Sequence, residues 1–211
     1  MALLGLQPFR KRLAGSAHFI DRLVCYVALA FGSFVITATS ATAFSIQLGP
    51  LSLSQNTLPS SPIAQVIMSG SADHPNLAGN LLLAETSTGL HLSGTLTNVP
   101  SGKHGFHIHE VGSCAENGMA SGGHFNPDQV EHGHLLVNGL QQAHAGDLGN
   151  VAVDPNGTAI LDQTFPYLTL NDGSYAVTGR AIVLHEKADD FSQPNGNAGA
   201  RIGCGVIVPV Q

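Results

Sequence analysis

Eleven histidines stand among 211 residues, and their placement suits metal binding. Phe106-His-Ile-His-Glu110 reads as a strand. With a period of two, His107 and His109 share one face while Phe106 and Ile108 share the other. The apolar pair would enter a core, and the imidazoles would stand on the outer surface, aimed at one metal. Further on come His124, His132, His134 and His144, with Asp147 closing His144-Ala-Gly-Asp147. Three ring nitrogens and a carboxylate oxygen suit tetrahedral zinc. His185 ends the apolar run Ala181-Ile-Val-Leu184. An imidazole-rich site with open positions suits copper. Spacing alone supports one or two metals. It does not choose His132 over His134, or Asp147 over Asp128.

The elements that must hold these side chains read as short strands between turns. Gln65–Met68 is one run. Leu81–Glu85 and Leu90–Leu96 flank Thr86-Ser-Thr-Gly89 and predict a hairpin. Gly105–Val111 alternates. Val151–Val153 and Thr158–Leu161 flank Asp154-Pro-Asn-Gly157, where Pro presets φ and Gly accepts a positive one. Ala181–Leu184 and Val206–Val208 complete the set, and no helical period of useful length is found. Seven or eight such strands predict an antiparallel sandwich or Greek-key barrel. Gly112 to Asn150 carries almost no strand signal, and a loop of that length has to be functional. A metal and a disulfide would replace the missing apolar core in fixing it.

Composition narrows the function. Charged residues make up 10% of the chain, far below the roughly 25% of average soluble domains. The hydrophobic fraction is ordinary, which excludes a disordered chain. Net charge is −6, and the few cations do not cluster as nucleic-acid binding requires. The charge is uneven: residues 1–43 are basic, and residues 44–211 carry a net −9. Basic residues up to Arg22, an apolar run from Leu23 and the ending Ala41-Thr-Ala43 describe a secretory signal peptide over 1–43. An uncleaved anchor, which would bring the protein to a membrane, and an organelle transit peptide are the alternatives. Residues 44–62 read as a linker and 63–211 as the functional domain. Cleavage after Ala43 would remove Cys25 and leave Cys114 and Cys204, an even pair in an exported protein and so a disulfide candidate.

Five segments carry a family resemblance: Gly105-Phe-His-Ile-His-Glu110, Gly123-His-Phe-Asn-Pro127, Gly146-Asp-Leu-Gly-Asn150, His185-Glu-Lys-Ala-Asp-Asp190 and Gly196-Asn-Ala-Gly-Ala-Arg201 with Cys204-Gly-Val. In this order they resemble the copper–zinc superoxide dismutases, in a secreted, bacterial-like form. The resemblance implies an all-β, eight-stranded antiparallel Greek-key barrel whose metal site is held outside by two long functional loops. It implies one copper per chain on His107, His109, His124 and His185, and one zinc on His124, His132, His144 and Asp147. His124 would bridge the two ions, and the Gly that follows His132 favours it over His134. Asp189 would link a copper histidine to a zinc histidine, Arg201 would attract and orient superoxide, and Cys114–Cys204 would be the intrachain disulfide.

The implied activity is dismutation of superoxide to O2 and H2O2 by a redox-cycling copper, an antioxidant defence outside the cytoplasm. In it His124 would release copper and hold a proton in the reduced state. The expected compartment is the periplasm, the extracellular space or an organelle lumen. A homodimer is possible, and the source of copper is unidentified. One departure bears on rate: the segments Ala115–Gly123 and Phe191–Ala200 hold no Lys or Arg, so Lys187 and Arg201 are the cations left to steer superoxide. His74, His91, His104 and His134 find no partner and read as surface histidines. A metal reservoir or delivery module on the same scaffold, and an adhesion sandwich with incidental histidines, are the competing functions.

Overall fold

The computed structural model describes residues 63–210; the expected signal peptide (1–43) and linker (44–62) lie outside the described residues. The strands are β1 (Ile63–Gly70), β2 (Ala78–Thr86), β3 (Gly89–Thr97), β4 (Gly102–His109), β5 (Asp147–Val153), β6 (Ala159–Phe165), β7 (Ala181–His185), β8 (Arg201–Val206) and β9 (Val208–Pro209). Hydrogen-bonded order runs β5-β4-β7-β8-β1-β2-β3-β6, with β9 beside β1. Every strand pair is antiparallel. β3 to β4 and β6 to β7 are the Greek-key crossings. The sheet's two ends, β5 and β6, are joined by the turn Asp154–Thr158, where Asp154 accepts from the Asn156 and Thr158 amides. The expected all-β barrel is therefore what the chain forms.

Alternation builds the core. Ala64, Val66 and Met68 of β1, Leu81 and Leu83 of β2, and Leu90, Leu92 and Leu96 of β3 point inward with Phe106, Ile108, Ile182 and Leu184. Fully burying a side chain of this size is worth about 1.5–3 kcal/mol. Gly94 has φ +149, and a Cβ there would strike the Asn80 carbonyl at 2.3 Å, so β3 crosses β2 only with glycine at that point.

Two strands differ from the sequence reading. The hairpin turn is shorter than Thr86–Gly89, because Thr86 and Gly89 already pair across it. β8 begins at Arg201, although the residue pattern carries no strand signal there and places a strand at Val206–Val208. Its glycines, Gly203 and Gly205, have low strand propensity, but Cβ atoms there would collide with Leu77 and Val66. Tight packing, not propensity, makes the strand.

Two register shifts position the outer face. In β7–β8, Leu184 pairs with Gly203 but His185 pairs with Arg201. Residues 201 and 204 are an odd number apart, and this bulge returns both to the outside. In β4–β5, Gly105 pairs with Asn150 and His107 with Asp147, which brings Asp147 and Asn150 to the same side. Bulges re-aim side chains in this way next to functional sites.

Outside the barrel, Ala181, Val183, Cys204 and Cys114 form a second, small apolar cluster. Cys114 and Cys204 are joined in a disulfide across a separation of 90 residues. Such a loop restrains the unfolded chain by at most about 4–5 kcal/mol in the chain-entropy view. It also pins the long connection after β4 to β8. That connection carries a short 3-10 turn, Met119–Ser121, and one helical turn α1, Leu135–Asn138. Among the described residues no helix is long and apolar enough to cross a membrane.

Candidate metal centre

His107 and His109 leave the outer face of β4, and His185 leaves the end of β7. His107 and His109 were expected on the outer surface, and both are buried, as is His185. The two long loops lie over them, so "outside the barrel" here is still inside the protein. His124 arrives from the first loop through an isolated bridge to His109. One ring nitrogen from each of His107, His109, His124 and His185 falls within 4.8 Å of the others. His124, His132, His144 and Asp147 form a second group on the same criterion. His124 belongs to both. His134 and Asp128, the alternatives that spacing left open, belong to neither.

Asp147 organises the second group. Its Oδ1 lies 2.8 Å from His124 Nδ1 and 3.1 Å from His144 Nδ1. Its Oδ2 lies 3.0 Å from His132 Nδ1 and accepts from the Gly133 and His144 amides. Burial opposes its charge, but the contacts to the three histidines and the Gly133 amide hold the carboxyl far below the usual range. Asp189 joins the groups from behind. It accepts at 2.8 Å from His107 Nε2 and at 3.0 Å from His132 Nε2. It too is held well below the usual range: burial opposes its charge, and hydrogen bonds from His107 and His132 outweigh that cost.

Several supports carried no signal in the sequence. Asn150 holds the Asp189 backbone at both its N–H and C=O. Gln193 does the same for His132. The Glu110 carboxylate accepts from the Gly123 amide at 3.0 Å, just before His124. Gly196 has φ +76, and a Cβ there would sit 1.8 Å from Asp189 Oδ1, so only glycine lets this loop close over the carboxylate. These partners lie far apart in the chain, and only the folded loops bring them together.

The unassigned histidines sort differently. His104 is buried, not at the surface: its Nδ1 lies 2.8 Å from the His185 carbonyl and its Nε2 2.8 Å from the Pro100 carbonyl. It ties the end of β7 to the turn before β4. His91 pairs with Asp162 at 2.7 Å across β3 and β6. His74 meets Ser71, and His134 stacks on Phe191. None of the four joins the two groups.

Over the first group lies a cavity of about 370 Å³, whose lining includes His109, His124, His185, Arg201 and Met119. Arg201 donates to the Gly118, Met119 and Gly122 carbonyls and to the Ser121 hydroxyl. Its guanidinium is fixed without a carboxylate partner. It is the one cation in the lining among the described residues; Lys187 is not part of it.

The residues fit metal ions on the structure's own terms. His107 Nδ1 is fully buried with no hydrogen-bond partner, and buried His132 Nδ1 has only the 3.0 Å contact to Asp147 Oδ2, which lies outside hydrogen-bond geometry, an arrangement that costs stability unless something occupies the space they face. Each ring is fixed from its far nitrogen by Asp189, which leaves Nδ1 aimed at the shared volume. A carboxylate behind a ligating histidine is how metal sites set ring orientation and tautomer.

The family profile described as copper/zinc superoxide dismutase matches residues 77–207. The chain belongs to the copper/zinc superoxide dismutase family. Among its relatives are an extracellular superoxide dismutase [Cu-Zn] of Drosophila melanogaster, 37% identical over 71% of this chain and 86% of that protein. Another is an extracellular superoxide dismutase [Cu-Zn] of Caenorhabditis elegans, 35% identical over 64% of this chain. The match spans 62% of that protein's length. A solved structure of the clock protein EA4 superposes with a TM-score of 0.63 at 37% identity, covering 71% of this chain and 95% of the other. The copper/zinc superoxide dismutase family fits the two histidine groups and the barrel beneath them.

Metal removal should expose a pH dependence. Burial lowers His109 to about 2, His185 to about 3 and, against the pull of Asp147, His124 to about 4. The unfolded chain takes up these protons near pH 6.5, so each group favours unfolding as pH falls below that value. His132 has the opposite sign. Burial disfavours its charge, but Asp147 and Asp189 raise it to about 9, so its contribution is complete below 6.5 and lost through 9. Asp147 and Asp189 do not offset the acid loss, because depressed carboxylates lose nothing until near pH 4. Urea unfolding of the metal-free protein should lose roughly 1 kcal/mol per low-shifted histidine for each pH unit below 6.5. Equal midpoints at pH 7 and pH 5 would contradict this.

Proposed function

We propose that this protein dismutes superoxide, converting two superoxide anions and two protons to O2 and H2O2. The observation that carries the proposal is the sharing of His124 between two buried ligand groups. His107, His109, His124 and His185 would hold copper, and His124, His132, His144 and Asp147 would hold zinc. Bound copper supplies one-electron exchange with superoxide, and bound zinc supplies a fixed positive charge without redox change. His124 keeps Nδ1 toward Asp147, so Nε2 is the nitrogen left for the copper group. That atom would hold a proton between the two half-reactions and hand it to the outgoing peroxide. Asp189 would keep His107 and His132 from rotating. Arg201 would draw the anion into the cavity and orient it. The loops over the site would limit solvent to the cavity mouth.

The same reading covers the rest of the chain: residues 1–43 as an export signal, 44–62 as a linker and 63–211 as the dismutase domain. A disulfide persists in oxidising compartments, and the two extracellular relatives support export to the periplasm, the extracellular space or an organelle lumen. A homodimer would use the outer face of β1, β2 and β9, where Ile67, Leu82, Val208 and Val210 are exposed together. Exposed apolar patches of this kind mark association surfaces.

Arg201→Ala should lower superoxide turnover about tenfold or more while one copper and one zinc stay bound, and should flatten the dependence on ionic strength. Direct superoxide decay and metal analysis measure both; unchanged turnover would remove Arg201 from the mechanism. N-terminal sequencing of the exported protein should begin at Phe44, and a start at Met1 would contradict the signal-peptide reading. Ile67→Lys should convert a dimer to monomer in sedimentation, and a parent that is already monomeric refutes the dimer.

A further inference from the structure

We infer that Met119 is an entry ligand for cuprous ions on their way to the histidine group, an inference that rests on the dismutase reading above. Met119 lines the cavity that leads to His109, His124 and His185. It is 61% exposed, whereas Met68, the other methionine among the described residues, is 1% exposed in the barrel core. Its thioether is a soft donor of the kind that selects Cu(I), on an unbranched stem that can reach in more than one direction. The two cysteines near the cavity are spent in a disulfide, so no thiolate competes for the role.

The backbone beneath Met119 is held still. Arg201 bonds the carbonyls of Gly118, Met119 and Gly122 and the Ser121 hydroxyl. The side chain is thus exposed on a fixed base at the mouth. Arg201 itself repels an incoming cation. A neutral sulfur beside it would give Cu(I) a first attachment that adds no charge and fills no imidazole position. The step is ligand exchange: a copper–sulfur bond forms as the donor's bond breaks, then yields to ring nitrogens, and no electron moves.

The test uses the full chain loaded with zinc and free of copper. Copper uptake is followed by stopped flow from a Cu(I)–bicinchoninate complex, and separately from a Cu(II)–glycine complex. Met119→Leu keeps the side chain's bulk and removes sulfur. It should slow Cu(I) uptake by about tenfold, the low end of what losing a metal-site partner costs, with the same final stoichiometry and an unchanged Cu(II) rate. Equal Cu(I) rates for parent and variant would overturn the inference, and so would equal slowing of both ions, which means a steric gate. A parent that takes up no copper would remove the dismutase reading and this inference with it. A parent that loads beside an indifferent variant removes the inference alone.

Discussion

Two buried carboxylates, Asp147 and Asp189, make it possible to pack His107, His124, His132 and His144 into one volume, beside His109 and His185, whose Nδ1 atoms meet the Gly122 and Gly199 carbonyls. Buried polar rings are costly unless each finds a partner. Asp147 gathers His124, His132 and His144, and Asp189 gathers His107 and His132. His132 is the ring common to both. After these contacts, His107 Nδ1 remains unpaired and His132 Nδ1 has only its contact to Asp147, outside hydrogen-bond geometry. The cost is concentrated where a cation would relieve it. Metal ions in the two groups, one beside each of those atoms, would offset the two carboxylates and satisfy the rings together. This links stability to metal content without any change of fold.

The first loop sends Phe125 and Leu135 into the core, and the rest of the loops' order comes from covalent and polar ties. The disulfide fixes one loop to β8, and the bulge at His185 turns Arg201 to the same side as Cys204. Arg201 then bonds back to that loop at four acceptors. Cross-link, bulge and guanidinium are consecutive parts of one device. Hydrogen bonds to a charged donor are worth about 1.5–3 kcal/mol each in favourable cases, so a few of them rival the cross-link. The second loop is held through Asp189 by Asn150 and through His132 by Gln193.

The ligand types were legible in the sequence because each sits in a short motif. The period of two placed His107 and His109 on one face, and the Asp154-Pro-Asn-Gly157 turn was readable from its residues. What was not legible depends on long-range geometry. The burial of His107, His109 and His185 requires loops that the strand pattern does not contain. His104 reads as a surface histidine until Pro100 and the His185 carbonyl close on it. β8 hides behind its glycines. Glu110, Asn150, Gln193 and Ser121 are ordinary polar residues until the loops deliver their partners. Choosing His132 over His134 needed the family resemblance, and the folded chain groups His132 with Asp147 and turns His134 onto Phe191.

Judged by net charge, an acidic body is a poor collector of an anion, and the geometry shows why net charge is the wrong measure. The carboxylates that make residues 44–211 net negative act through solvent, and at physiological ionic strength their field is screened within about 8 Å. The cavity lining contains no carboxylate, and Arg201 is its one cation among the described residues. Because its donors meet carbonyls and a hydroxyl, Arg201 is oriented without being neutralised. Bound metal ions would further balance Asp147 and Asp189, the carboxylates nearest to the histidines. Close to the mouth the local positive charge therefore outweighs the distant negative charge. Farther out, with no other cation in the lining, little extends that attraction beyond one screening length. The arrangement favours orientation at the site over long-range capture.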